Sequence, residues 1–176
     1  MYGIAATLTP RFDEPLELLE ACHARIETQL AMLERLVTHV AQHGCDLEAR
    51  EAARFIMRYF DTAGIQHHRD ENDDLFPLLR SKAAELGRPE VSAVINELER
   101  DHETLDLQWS RLRARLDALT RSGDALLAPA DVAGFAWLNR RHMEKEAALV
   151  LPFAKAVLDA GERAALGKRM AARRKG

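Results

Sequence analysis

Two stretches of the 176-residue chain carry the same chemistry: His67-His68-Arg69-Asp70-Glu71 before Leu75-Phe76-Pro77, and His142-Met143-Glu144-Lys145-Glu146 before Leu149 to Pro152. In each, a histidine precedes a glutamate by four residues and a proline follows that glutamate by six. Residues four apart on a helix stand one above the other on a single face, so each pair offers an imidazole nitrogen and a carboxylate oxygen together. Two nitrogens and two oxygens supplied by two helices suit a transition metal. The spacing predicts a four-helix bundle gripping a two-metal centre, read as iron, although manganese or zinc accepts the same donors.

The elements that must position these pairs follow from the apolar periodicity. A first helix is predicted from Asp13-Glu14-Pro15, where acids and a proline suit a helix start. Its stripe runs Leu19, Ile26, Leu30, Leu33, Val37 and Val40, with His23 filling the gap, and Gly44 closes it. Asp46 is placed to cap a second helix. That helix carries Ala52, Ile56, Phe60 and Ala63, and the same steps then land on His67, Glu71, Leu75 and Leu78. Gly64 beside the stripe marks a bend, and Pro77 should end or kink the helix ahead of a connection over 80–88. The third helix reads Val91, Ile95, Leu98, His102, Leu105, Trp109, Leu112, Leu116 and Leu119, followed by a loop at Ser122-Gly123-Asp124 and Pro129. The fourth runs from about 130 to 160 with Phe135, Leu138, His142, Glu146, Leu149, Phe153 and Val157 on one side, and Gly161 ends it. Four such helices with short connections predict an all-α, antiparallel up-down four-helix bundle in one domain over 1–176. The bundle would cover about 13–161, with an N-terminal arm over 1–12 and a basic C-terminal tail over 162–176.

Of the seven histidines, His23, His67, His102 and His142 each sit on the stripe of a different helix, whereas His39, His43 and His68 fall off the stripes and read as surface residues. A single histidine on an apolar face is most simply a hydrogen-bonded core residue. Four, together with Glu71 and Glu146, are another matter. Burying six polar side chains without a shared partner is expensive, and cations resolve that cost by taking neutral imidazoles and carboxylates as ligands. Distances from the helix ends place His23, His67 and His102 at one height; His142 fits less well and leaves an overhang for the last loop to absorb. The metal ligands are therefore expected to be His23, His67, Glu71, His102, His142 and Glu146, with no catalytic residue assigned. Glu20 and Glu99 precede their histidines by three, and Glu27 and Asp106 follow by four. These four acids read as exposed helix charges first, as partners orienting the imidazoles second, and as further ligands last.

Composition narrows the remaining classes. A net charge of -3 argues for neither nucleic acid nor an anionic membrane surface as a partner. No run reaches the roughly 18 apolar residues of a membrane span, and no basic start with an apolar run suggests a secretion signal, so a cytoplasmic protein is expected. Cys22 and Cys45 are too few for a disulfide framework and read as reduced, incidental thiols. Lys168, Arg169, Arg173, Arg174 and Lys175 read as a solvated helix end.

The residues from about Pro15 to Ala160 resemble the hemerythrin-like, or HHE cation-binding, family, most specifically at His67 to Pro77 and His142 to Pro152. The resemblance implies a four-helix bundle in which the six residues above bind two irons and Glu71 and Glu146 bridge them. Oxygen-carrying members have a second histidine four residues after the third-helix one and an aspartate five after the fourth-helix one. Here those places hold Asp106 and Ala147. The chain thus resembles the four-histidine, two-glutamate branch linked to iron or oxygen sensing and to repair of iron centres, rather than reversible oxygen carriage. Three functions follow: a di-iron protein binding oxygen, nitric oxide or peroxide; a ferritin-like di-iron oxidase, whose Glu-x-x-His signature Glu20–His23 and Glu99–His102 match; or a helical interaction module with a structural metal or none.

Overall fold

The computed structural model describes residues 11–122 and 127–175. Four long helices form the bundle, and a fifth closes its end: α1 is Pro15–His43, α2 covers 47–85, α3 is Pro89–Ser122, α4 covers 129–157 and α5 is Ala160–Arg173. Among the described residues there is no strand, and no helix is long and apolar enough to cross a membrane. In the antiparallel up-down arrangement, α1 and α3 each pack against both α2 and α4.

The helix starts and stops follow local chemistry. Pro15 occupies the first turn of α1, where its missing N–H costs nothing. Gly44 ends α1 with φ at 74°, a left-handed conformation that favours glycine. The Asp46 carboxylate caps α2 by accepting from the Ala49 amide at 2.8 Å.

Pro77 does not end α2. The helix passes through it to Glu85, and the connection shrinks to the few residues before Pro89. The reason lies one turn earlier, where Asp70–Leu75 is π-helical and the Phe76 amide bonds the Glu71 carbonyl five residues back. An interior proline removes one helical donor and crowds the carbonyl four residues before it; a widened turn absorbs both effects. The same device recurs in α4: Glu146–Val150 is π-helical, the Leu151 amide bonds the Glu146 carbonyl, and Pro152 follows. A third wide turn, Phe60–Gly64, coincides with the bend expected at Gly64.

Gly161 does not end the fourth helix either. α4 stops at Val157, Leu158 turns extended, and Asp159 caps α5 through a reciprocal box with Glu162. The segment read as a solvated basic tail is therefore a docked helix: Leu166 and Met170 are fully buried in the end core. Of the expected arm, residues 1–10 lie outside the described residues, as does most of the loop at Ser122-Gly123-Asp124. Phe12 crosses α5 so closely that a Cβ on Gly167 would stand 1.7 Å from its carbonyl oxygen.

The core is split in two. One apolar cluster, with Leu19, Phe76, Leu98 and Leu151, fills the end nearest α5; another, with Ile26, Phe60, Leu105 and Phe135, fills the other end. Between them lies one polar layer, where each bundle helix contributes its stripe histidine.

Candidate metal centre

All six expected ligands meet in that layer. His67, Glu71, His102, His142 and Glu146 are buried at 1–2% exposure. His23 is the most open, its side chain 13% exposed.

The two carboxylates divide their oxygens between two sides. Glu71 Oε1 lies 3.2 Å from His67 Nε2 and 4.0 Å from His23 Nε2, while its Oε2 lies 3.3 Å from His102 Nε2. Glu146 Oε2 lies 2.9 Å from His23 Nε2, and its Oε1 lies 3.4 Å from His142 Nε2. Donor atoms of His23, His67, Glu71 and Glu146 form one group within 4.8 Å of one another, and Glu71, His102, His142 and Glu146 form a second. Both glutamates belong to both groups. Glu146 opens its π-helical turn and Glu71 is the second residue of its own, so the prolines that follow these turns act where the carboxylates are aimed.

Distances here are those of contact, but for several of these atoms the directions are not those of hydrogen bonds. His23 Nε2, His67 Nε2, Glu71 Oε2 and Glu146 Oε2 are buried with no partner of acceptable hydrogen-bond geometry. His102 Nε2 and His142 Nε2, by contrast, share a hydrogen bond at 3.0 Å. Buried polar atoms ordinarily find hydrogen bonds, and lone pairs converging without them are the geometry of a donor set for a cation. The residues fit a metal: two imidazoles and two carboxylates converge in each group.

The electrostatics reflect the crowding. Burial opposes protonation of His23, yet Glu146 and Glu71 beside it push it up to about 10. Burial brings His67 down to about 4, against the pull of Glu71. Desolvation works to raise both glutamates, and their mutual repulsion adds to this at Glu146, but the surrounding imidazoles hold both below the usual carboxylate range. Burial also lowers His102, whereas Glu146 raises His142 in spite of burial.

Supporting residues went partly unseen in the sequence. Asn72 Oδ1 accepts from His102 Nδ1 at 2.8 Å, which fixes the tautomer and leaves Nε2 to face the centre. His68 is not a plain surface residue: its ring stacks on His102 at 4.1 Å, and the Phe76 ring lies nearly parallel to that of His102 at 5.9 Å. Asp101 lies 3.8 Å from His142 Nδ1 and takes the Lys145 ammonium at 2.8 Å. The repeat spacing singles out only side chains on the stripe; Asn72 lies five residues after His67 and reaches another helix, so no periodicity marks it. Glu20 pairs with Lys155 at 2.7 Å, Glu27 with Arg140 at 2.8 Å and Glu99 with Arg80 at 2.6 Å, while Asp106 lies 3.5 Å from His68. None of the four acids joins either donor group. Cys22 and Cys45 are free thiols.

Comparison with known proteins agrees with this geometry. The family model described as the hemerythrin HHE cation binding domain matches residues 14–154, a span that includes all six residues of the layer. An uncharacterized protein of Haemophilus influenzae is 30% identical over 163 residues, covering 93% of this chain and 91% of that relative.

Proposed function

The chain belongs to the hemerythrin HHE cation binding domain family, and on that premise we propose that it is a non-haem di-iron protein. His23, His67, His102 and His142 would hold two irons in pairs, with Glu71 and Glu146 shared between them. The observation that carries this reading is the division of carboxylate oxygens, one from each glutamate toward each histidine pair. Bound there, iron would supply one-electron chemistry and affinity for a diatomic ligand such as oxygen or nitric oxide.

The chain's own residues set the terms. Four imidazoles and two carboxylates would hold the metals with room for a small ligand, and apolar clusters flank the layer at both ends. Sensing of oxygen, nitric oxide or iron, or maintenance of iron centres, in the cytoplasm, is the role we assign. The ferritin-like oxidase reading loses its support, because Glu20 and Glu99 point to Lys155 and Arg80 rather than to the histidines.

The test is metal content and nitric oxide binding. Protein expressed with ample iron should carry about two irons per chain and take up nitric oxide with a change in its visible spectrum, and Glu71→Ala should lose both. Fully helical protein without bound metal under those conditions would sink the proposal.

A further inference from the structure

The basic residues at the C-terminus are the part of the chain that the metal-binding reading leaves unused, and α5 lies outside the span matched by the family model. In the fold three of them, Arg169, Arg173 and Arg174, face the turn that carries Glu71. Arg173 sends Nη1 to Asp70 Oδ1 and Nη2 to Asp74 Oδ2, the latter at 2.7 Å. Arg174 holds both Asp70 oxygens, at 3.2 and 2.6 Å, and Arg169 reaches Asp74 at 2.6 Å. Asp70 is wholly buried and Asp74 nearly so.

We infer that α5 is a positioning element for the metal centre and that Arg173, by spanning Asp70 and Asp74, locks the π-helical turn from which Glu71 reaches both donor groups. Four acids fall within the five residues 70–74. Without cations beside them, their repulsion and the cost of burying Asp70 would drive the turn toward water, and Glu71 would move with it. A shared carboxylate tolerates little displacement, because it must meet two groups of nitrogens at once. Arg173 contacts no atom of the centre; it acts through Asp70 and the backbone it shares with Glu71. Its planar fork suits two carboxylates in a way that a lysine ammonium does not.

This inference rests on the metal-binding reading above, and cobalt(II) titration of the full chain tests the two separately. Wild type should bind about two cobalt ions with a visible absorption band. Arg173→Met should bind cobalt about 10–100-fold more weakly, the loss typical when a residue supporting a ligand is removed, with a shifted band. Arg173→Lys should fall between the two. Met170→Ala, which loosens the same helix through its buried core side, should lower the melting temperature yet keep wild-type affinity and spectrum. Arg173→Met and Arg173→Lys that match wild type would overturn the positioning role alone. So would equal loss of affinity in Met170→Ala and Arg173→Met, which would reduce Arg173 to general stability. Wild type that takes up no cobalt overturns the metal reading and this inference with it.

Discussion

The residue whose state matters most for metal uptake is His23, since its neighbours Glu146 and Glu71 push it up to about 10 in the metal-free protein. A metal takes only the neutral imidazole, so the proton must leave. Below about 10 that proton is bound, and each unit of pH lost costs about 1.4 kcal/mol of binding per proton displaced. Affinity should therefore rise with pH, by about tenfold per unit for each proton released, between pH 6 and 9. Titration in weak buffer with a pH indicator measures the release directly; an affinity flat in pH would show that His23 enters neutral. The same raised value stabilises the metal-free fold fully below the ordinary histidine range, and that contribution fades as pH climbs toward 10. His67, held near 4 by burial, works in the opposite sense: its burial costs stability as pH falls from about 6.5 to 4. Asn72 makes a second point at this scale. With its carbonyl gone, His102 Nδ1 loses the acceptor at 2.8 Å that orients the ring. Asn72→Ala should weaken metal binding about 10–100-fold, while Asn72→Asp, which keeps an acceptor, should retain most of it. Competition against a chelator of known affinity reads both.

At the scale of the element, the repeated proline is the informative feature. Pro77 and Pro152 each follow a glutamate by six, and in each case the residue before the proline donates to that glutamate's own carbonyl. A proline inside a regular α-helix costs about 3 kcal/mol; here the cost is taken up in a turn that aims a ligand. Pro77→Ala returns the missing donor and the option of a regular turn. The variant should melt at or above the wild-type temperature and bind metal more weakly, because Glu71 no longer has to sit on a widened turn. Thermal melting followed by circular dichroism, with a cobalt titration of the same sample, reads both quantities, and a variant with unchanged affinity would deny the prolines any part in the centre. α5 belongs at this scale too. Leu166 and Met170 attach it by burial, and its arginines attach it by charge to the turn that matters.

Across the whole molecule, a polar layer is sandwiched between two apolar clusters, and the two kinds of region answer differently to metal removal. The clusters contain no ligand, so chelation should leave the helical signal nearly intact. The layer, by contrast, keeps two buried glutamates and three imidazoles, those of His23, His67 and His142, with unsatisfied atoms. Metal bound at 100 times its dissociation constant adds about 2.7 kcal/mol to stability. Removal with a chelator should lower the melting midpoint by several degrees at constant helicity. An unchanged midpoint would mean that the layer holds itself together without a cation.

What the sequence alone determined was the four helices of the bundle and the six residues of the layer. Their 3.6-residue periodicity is local, and a histidine or glutamate that interrupts an apolar stripe marks itself by position. Spacing also carried the echo between the two His-x-x-x-Glu-x5-Pro stretches and its reading as paired ligands, though not the wide turns that let each proline sit inside its helix. Only the tertiary structure decided that Pro77 passes through its helix, that Gly161 lies inside a new one, and that the basic tail is a docked helix. The docking depends on partners distant in sequence, Asp70 finding Arg173 across 103 residues, whereas the wide turn before Pro77 and the Asp159–Glu162 box are local bonds that apolar periodicity does not mark. The membership of Glu71 and Glu146 in both donor groups was likewise beyond periodicity. A carboxylate's two oxygens can be assigned to two neighbours only once four helices have fixed where those neighbours stand.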